Sequence, residues 1–201
     1  QTLLSFDCRN AFNSMKRRAI LPALADLIPP AVPYALNIYA REAPRLLFKT
    51  TTGETEIVRS SSGVQQGCSL GPLCFSAGLL PLLREFKANP PVVNATIMAY
   101  VDDITVTLPH EETRNPRAVD AVEAVAAWLQ ARMEPLGIEL NRTKSSILFP
   151  RGTDHHSWSE SDRHILERTD LSVASEGTRI VGVPVGTPEY VQRTVQDIAR
   201  G

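Results

Sequence analysis

The 201-residue sequence predicts an α+β fold with a mainly antiparallel sheet packed on helices. Two pairs of short strands flank tight turns, at 45–51 with 56–59 and at 92–100 with 104–108, which is typical of antiparallel hairpins. Residues 118–133 repeat alanine, valine, tryptophan and leucine at three- and four-residue steps, which predicts an amphipathic helix. Hairpins and long helices in one chain favour the mixed class.

The remaining elements follow from apolar runs and chain breakers. The first half is predicted to hold a strand at 3–8, a helix capped by Asn13 and Ser14, a helix at 32–42 after Pro29 and Pro30, the first hairpin, a glycine-punctuated loop at 60–72 and a helix at 73–86. The second half is predicted to hold the second hairpin, the helix at 118–133, a strand at 145–149, an irregular polar stretch at 151–170, a strand at 179–185 and a helix from Pro188.

Composition narrows the class of protein. Apolar runs are broken before the roughly 20 residues that a membrane span needs, and no basic-then-apolar leader opens the chain, so we expect an intracellular protein of the nucleus or cytoplasm, not a secreted one. The odd cysteine count, Cys8, Cys68 and Cys74, argues against a disulfide scaffold and favours buried thiols.

The charge pattern gives no basic surplus for phosphate contacts, since the formal net charge is -1. Acids that hold metal lower the net charge without repelling substrate once the ions are bound. The cations are grouped at 16–18 and at Arg41, Arg45 and Lys49. Each group is either a solvated face or a surface for phosphates.

Three aspartates in apolar surroundings are the candidate catalytic residues. Asp102 and Asp103 lie between apolar runs, where adjacent acids cost free energy unless a cation joins them. Asp7 ends another apolar strand and would complete the site if the two strands are neighbours in one sheet. Oxygen ligands favour Mg²⁺ or Mn²⁺, and three carboxylates with two ions suit in-line phosphoryl transfer. An exposed hairpin turn is the alternative for the Asp102–Asp103 pair by itself.

Five segments, in order, resemble the palm motifs of reverse transcriptases. They are residues 6–12 (FDCRNAF), 63–73 (GVQQGCSLGPL), 99–103 (AYVDD), 137–144 (GIELNRTK) and 180–186 (IVGVPVG), the last similar to the primer grip. The resemblance spans nearly the entire chain. Within the family, the sequence most resembles non-LTR retrotransposons and related elements. It implies a polymerase palm with part of the fingers: the first palm motif at 1–13, partly fingers at 14–65, palm at 66–150, and the primer grip with its following helix at 176–201.

The resemblance also implies the roles of individual residues. Asp7 and Asp102 would bridge two Mg²⁺ ions, with Mn²⁺ as an alternative, and Asp103 would help more weakly. The main-chain carbonyl of Cys8 would complete the coordination of one ion. The residues implied to contact the nucleotide are Cys8, Arg9, Phe12, Gln66, Gly67 and Tyr100. Those implied to position the primer's 3′ end are Gly182, Val183, Pro184 and Gly186.

Several of these residues have a simpler alternative. Phe12 would collide with a 2′-hydroxyl and so select deoxynucleotides, or it is an ordinary core aromatic. Gln66 and Gly67 would lie along the nucleotide, or form a structural glycine turn. Lys144 would neutralise or protonate the leaving pyrophosphate, or be a surface lysine while Arg142 reaches the phosphates.

Other residues invite weaker interpretations. Residues 182–186 could be an ordinary strand and turn. His155, His156 and His164 suggest a metal site, but their polar surroundings favour a solvated loop. Trp128 and Trp158 are interpreted as packing residues.

The resemblance implies RNA-directed DNA synthesis, with an RNA template, a DNA primer, deoxynucleoside triphosphates and other domains of a parent polyprotein as partners, and with no membrane. Two alternatives are open: an inactive or domesticated scaffold that binds nucleic acid, and an RNA polymerase with the same palm, which Phe12 disfavours. The family's fingers and thumb extend beyond both ends of this segment. Whether residues 1–201 are active by themselves is therefore left open.

Overall fold

The structure is a computed structural model that describes residues 1–39, 45–109, 117–150, 153 and 158–200. Within these ranges the chain is α+β with a mainly antiparallel sheet, which confirms the predicted class. The chain forms two compact units. Unit 1 comprises residues 1–9, 83–133 and 139–201, and unit 2 comprises residues 10–82 and 134–138. The segment predicted to be partly fingers, 14–65, lies within unit 2.

The described residues form helices and strands in the following chain order: β1 (Thr2–Arg9), α1 (Ala11–Ser14), α2 (Arg17–Leu27), a 3₁₀ turn (Pro29–Ala31), α3 (Val32–Tyr39), β2 (Arg45–Lys49), β3 (Thr55–Arg59), α4 (Gly71–Ala88), β4 (Thr96–Tyr100), β5 (Asp103–Leu108), α5 (Arg117–Met133), a 3₁₀ turn (Glu134–Leu136), β6 (Glu139–Leu148), α6 (Glu160–Thr169), β7 (Ser172–Ala174), β8 (Gly177–Ile180), β9 (Val183–Gly186) and α7 (Pro188–Arg200).

Unit 1 is organised around a five-stranded sheet in the order β4-β5-β1-β6-β7. The neighbouring strands are antiparallel except β6 and β7, which are parallel. Alternate residues of β1 are buried, Leu4 and Phe6 almost completely, as expected for a strand with one face against a core. Each such side chain contributes roughly 1.5–3 kcal/mol through burial. Helix α5 packs on β6 and α6.

The structure corrects three predictions for the second half. Strand β6 begins at Glu139 rather than at 145, because residues 139–141 pair with β1. The stretch 151–170 is not wholly irregular: residues 160–169 form α6, begun by a capping box in which Ser159 and Asp162 bond each other's main-chain N–H. The predicted strand at 179–185 is two strands, β8 and β9, because Val181 and Gly182 have positive φ and turn the chain back.

Unit 2 contains three short helices, the two-stranded β2–β3 sheet and the first part of α4. The predicted hairpin is confirmed by the β2–β3 pairing. The predicted cap at Asn13 and Ser14 is wrong, because both belong to α1, which follows Asn10 in a left-handed conformation, whereas α2 begins after Lys16. The predicted helix at 32–42 is described as far as Tyr39, and its last residues lie outside the described ranges.

The tryptophans, cysteines and histidines singled out from the sequence lie in different surroundings. Trp128 packs edge-on against Phe86, and Trp158 against Phe149, as predicted. Cys8 and Cys74 are buried, whereas Cys68 is only partly so. Among the described residues, no helix is long and apolar enough to cross a membrane. His155, His156 and Arg41 lie outside the described residues, and His164 lies on α6 with its ring 3.0 Å from Glu167.

The β8–β9 turn offers a test of backbone strain. Val181 holds φ 51° and Gly182 holds φ 79°, the combination for which an Asn-Gly pair is favoured. A left-handed conformation costs a β-branched residue about 1–2 kcal/mol. We therefore predict that Val181→Asn raises the free energy of unfolding by about 1 kcal/mol in chemical denaturation.

Val183→Asn is the matched control, because Val183 is an exposed strand residue of the same hairpin and asparagine is a poor strand former. It should leave the stability unchanged or lower it. A lower stability for Val181→Asn would contradict the assignment of strain to this turn.

Candidate active site

Three carboxylates meet on neighbouring strands of unit 1. Strand β1, which carries Asp7, lies beside β5, with Phe6 opposite Ile104. Asp103 is the first residue of β5 and pairs with Tyr100 across the β4–β5 turn, so Asp102 lies in that turn. The structure therefore meets the condition that the sequence left open, namely that the two strands are neighbours in one sheet.

Electrostatics shows that these groups influence one another. Partial burial raises the pKa of Asp103, and the charges of Asp102 and Asp7 raise it further. Burial also raises the pKa of the Cys8 thiol to about 12, with added contributions from Asp102, Asp7 and Asp103. The thiol of the free protein is therefore protonated at neutral pH.

The donor set suits a hard cation. Carboxylate oxygens are the ligands that Mg²⁺ and Mn²⁺ prefer, and mutual repulsion among like charges is what such an ion offsets. Within the described ranges, no three side chains of histidine, cysteine, aspartate or glutamate are already gathered into a metal-binding cluster. The oxygen donors of these three residues therefore fit divalent ions.

Polar groups of β6 hold Asp7 in place. Asn141 Nδ2 donates to Asp7 Oδ2 at 2.8 Å, and the Asp7 main-chain N–H donates to Ser145 Oγ at 3.1 Å. Ser145 Oγ in turn donates to the Asn141 carbonyl at 2.8 Å. The carboxylate and the main chain of Asp7 are therefore both fixed by one segment of β6.

This support depends on a bulge in β6. Ser5 pairs with Ser146 but Asp7 pairs with Asn141, so residues 142–145 of β6 stand opposite Phe6 alone. The bulge turns the buried Ser145 hydroxyl toward Asp7. Sequence reasoning assigned no role to Asn141 or Ser145, because each contacts Asp7 across more than about 130 positions of the sequence.

Lys144 and Arg142, the two side chains predicted as alternatives for contacting the phosphates, lie in the same bulge. Lys144 is exposed. Arg142 is directed elsewhere, because its Nη1 donates to the carbonyls of Arg168 and Thr169 at the end of α6, at 3.4 and 3.3 Å. Of the two, Lys144 is the side chain that the described contacts leave to solvent.

The turn that carries Asp102 is strained. Val101 holds φ 58°, a left-handed conformation that is unfavourable for a β-branched residue. Tyr100, just before it, is 64% exposed. Strain of this kind persists where surrounding structure fixes the backbone, as the Tyr100–Asp103 pairing does at this turn.

Arg9 follows Asp7 on β1 but is engaged in an ion pair. Its Nη1 lies 3.3 Å from Glu139 Oε1, and both side chains are more than half exposed. Exposed pairs of this kind contribute little, typically about 0–1 kcal/mol, so Glu139 does not hold Arg9 strongly.

The predicted nucleotide-binding residues of unit 2 lie on its first helix and on the loop before α4. Phe12, on α1, is half-buried and stacks on Phe75 of α4, with ring centroids 4.9 Å apart and planes within 9°. Gln66 is exposed. Gly67 holds φ 85° with open space where a Cβ would lie, so it is required for its backbone conformation rather than for close packing.

The predicted primer-grip residues form the β8–β9 hairpin of unit 1. Gly182 is in its turn, and Val183, Pro184 and Gly186 are in β9. Val183 is exposed, as is Val181 in the turn. The hairpin tip is therefore available to a ligand.

The sequence matches one protein family over most of its length. Residues 1–185 match the family described as reverse transcriptase (RNA-dependent DNA polymerase). A retrotransposable element SLACS 132 kDa protein from Trypanosoma brucei gambiense is 34% identical over 180 residues, which is 89% of this chain. A Pol polyprotein from the type-1 retrotransposable element R2 of Nasonia vitripennis is 26% identical over 156 residues, 74% of this chain. The chain spans 14% of the length of each of these relatives.

Solved structures show the same fold. Apo telomerase from Candida tropicalis, truncated from its C-terminal domain, aligns with a TM-score of 0.62 at 13% identity, covering 94% of this chain and 34% of that one. Telomerase from Candida albicans, in complex with a TWJ fragment of telomeric RNA, aligns at 0.60 and 13% identity, covering 94% and 30%. At this identity the likeness shows the fold, which is the predicted polymerase palm.

The Ser145 hydroxyl provides a test of how Asp7 is supported. Ser145 is fully buried, and alanine would leave the Asp7 N–H and the Asn141 carbonyl without this partner. We predict that Ser145→Ala lowers the free energy of unfolding by about 1–3 kcal/mol. Ser161→Ala, at an exposed position of α6, is the control and should have little effect. Equal stabilities for the two variants would contradict the support assigned to Ser145.

Proposed function

This chain belongs to the reverse transcriptase (RNA-dependent DNA polymerase) family, and we propose that it carries the catalytic centre of an RNA-directed DNA polymerase of a non-LTR retrotransposon. The proposed reaction is the template-directed transfer of deoxynucleotides to the 3′ end of a DNA primer, copied from an RNA template. The template is supported by the family description, and the SLACS and R2 relatives support the retrotransposon source.

One observation carries the proposal: the pairing of β1 with β5 brings Asp7 beside Asp102 and Asp103. Burial raises the pKa of Asp103, and the charges of Asp102 and Asp7 raise it further, which supports a shared electrostatic environment. A site of this composition supports the binding of divalent ions, Mg²⁺ or Mn²⁺. When bound, two such ions would activate the primer's 3′-hydroxyl and stabilise the charge on the leaving pyrophosphate.

The residues of unit 1 have distinct proposed roles. Asp7 and Asp102 hold the ions, and Asp103 assists them. Asn141 orients Asp7 through its 2.8 Å hydrogen bond. Lys144, exposed in the β6 bulge, neutralises charge on the leaving pyrophosphate. The β8–β9 hairpin, through Gly182 and the following strand, positions the primer end.

The proposed roles in unit 2 concern the nucleotide. Phe12 contacts the sugar and excludes a 2′-hydroxyl, and its stacking on Phe75 would keep the ring from yielding. Gln66 donates from its amide to sugar or phosphate, and the conformation of Gly67 turns the loop at that point. In this assignment the segment 14–65 is partly fingers, residues 1–13 carry the first palm motif, and residues 66–150 are palm.

The metal role is tested with Asp102→Asn in the protein that contains residues 1–201. Removing one negative charge from the proposed metal ligands should lower primer extension on an RNA template by roughly 100-fold or more. Asp120→Asn, the same change at an exposed position of α5, should extend like the parent. Undiminished extension by Asp102→Asn would exclude the proposed centre.

The same preparations distinguish a polymerase from a nucleic-acid-binding scaffold. A polymerase should bind Mn²⁺ and should bind deoxynucleotide more tightly when Mn²⁺ is present. A folded protein that binds neither would favour the scaffold.

The sugar selection is tested with Phe12→Val. Because a smaller side chain leaves room for a 2′-hydroxyl, discrimination against ribonucleotides should fall by roughly tenfold or more, measured as the ratio of kcat/KM for the two substrates. Phe48→Val, at an exposed position of β2, should leave the ratio unchanged. An unchanged ratio for Phe12→Val would remove Phe12 from this role.

A further inference from the structure

The Arg17 side chain of unit 2 donates hydrogen bonds to the loop that precedes the Gln66–Gly67 segment. Its five hydrogen bonds reach the carbonyls of Gly63 (2.9 Å), Ser60 (2.8 Å), Ser62 (3.2 Å) and Tyr39 (3.3 Å) and the hydroxyl of Ser60 (2.9 Å). A guanidinium has five N–H donors in a fixed plane, so the number of hydrogen bonds equals the number of donors. All five acceptors are uncharged, which distinguishes Arg17 from an ion-paired surface arginine.

These contacts define the loop's shape. The carbonyls of residues 60, 62 and 63 point to one guanidinium instead of to a strand or helix, and buried carbonyls without partners are costly. Burial lowers the pKa of Arg17, against an opposing contribution from Tyr39, yet an arginine remains a cation at neutral pH. A lysine could keep the charge but not the planar set of donors.

The same loop is bonded to the segment that carries Phe12. The Gly63 N–H donates to the Met15 carbonyl at 2.8 Å, and the Val64 N–H donates to the Phe12 carbonyl at 2.7 Å. A Cβ on Gly63 would lie 2.3 Å from that carbonyl oxygen, so the two segments approach as closely as backbones can. Ser62 adds a hydrogen bond to the Asn13 carbonyl at 2.9 Å.

Tyr39 continues the contact to the following residues. Its ring lies under the Arg17 guanidinium, 5.3 Å from Cζ to centroid. Burial raises the pKa of Tyr39, the Cys68 side chain raises it further, and the Gln65 main chain lowers it. Among the described residues this buried hydroxyl has no partner within hydrogen-bond geometry.

We propose that Arg17 and Tyr39 are positioning residues that fix the Gln66–Gly67 loop and the Phe12 segment relative to each other. Their substitution changes the affinity for deoxynucleotide and the discrimination against ribonucleotide. The proposal rests on the proposed function, because it assumes that Phe12 and Gln66 contact the nucleotide. Neither Arg17 nor Tyr39 touches the reacting atoms in this assignment, so the chemical step is expected to be preserved.

The test is steady-state primer extension by the protein that contains residues 1–201, with Arg17→Lys and, as the matched control, Arg18→Lys at the neighbouring exposed position. Arg17→Lys should raise the KM for deoxynucleotide about tenfold and lower ribonucleotide discrimination, while kcat changes less than about twofold. Arg18→Lys should match the parent in both parameters. Thermal unfolding of each variant shows whether it is folded.

A folded Arg17→Lys protein with parental KM and parental discrimination would overturn the proposal. If Arg17→Lys does not fold, Ser60→Ala decides, because it removes one side-chain acceptor of the guanidinium and leaves the main chain unchanged: a KM raised about threefold supports the proposal, and a parental KM overturns it. Failure of the proposed function is distinguishable, since the parent would then extend no primer or would be indifferent to Asp102→Asn.

Discussion

Burial and the charges of Asp102 and Asp7 all disfavour the ionised form of Asp103, and much of unit 1 holds these three residues near one another through the pairing of β1 with β5. Nearly complete burial of Leu4 and Phe6 anchors β1, and the antiparallel register then fixes which residue stands beside the β4–β5 turn. Like charges are not placed together by their own interaction, so packing elsewhere has to provide the free energy. A divalent ion bound there would offset this unfavourable interaction.

The backbone is least regular next to these carboxylates. Val101 takes a left-handed conformation, and β6 inserts residues 142–145 opposite Phe6. Regular antiparallel pairing would continue the ladder past Asp7 and would not direct the Ser145 hydroxyl at its N–H. The irregularities therefore have a common effect: they supply polar partners to one carboxylate and fix the turn that carries another. In unit 2 a side chain has a comparable effect on an irregular segment, since Arg17 donates hydrogen bonds to loop carbonyls that have no partner in a strand.

Sequence reasoning predicted the α+β class, both hairpins and the amphipathic helix α5, because each depends on local periodicity or on turn residues close in the chain. It also selected Asp7 and the Asp102–Asp103 pair, since acids in apolar runs are conspicuous. It missed the start of β6, the division of β8 from β9 and the roles of Asn141 and Arg17. Asn141 contacts Asp7, 134 positions away, and Arg17 contacts residues about 22–46 positions away. The division of β8 from β9 depends on a positive φ at Val181, which the local propensity of valine does not favour. Helix α6 is a different kind of miss, because its Ser-x-x-Asp capping box is readable in the sequence.

The close approach of Gly63 to the Phe12 carbonyl has a consequence for variation and engineering. With no room for a Cβ and a main-chain hydrogen bond on each side, residues 12–15 and 60–64 form one block in which a backbone shift in either segment is transmitted to the other. Libraries that randomise the two segments separately would sample mostly incompatible pairs. Exchanging both segments together, as a single cassette taken from one parent, would keep these contacts matched.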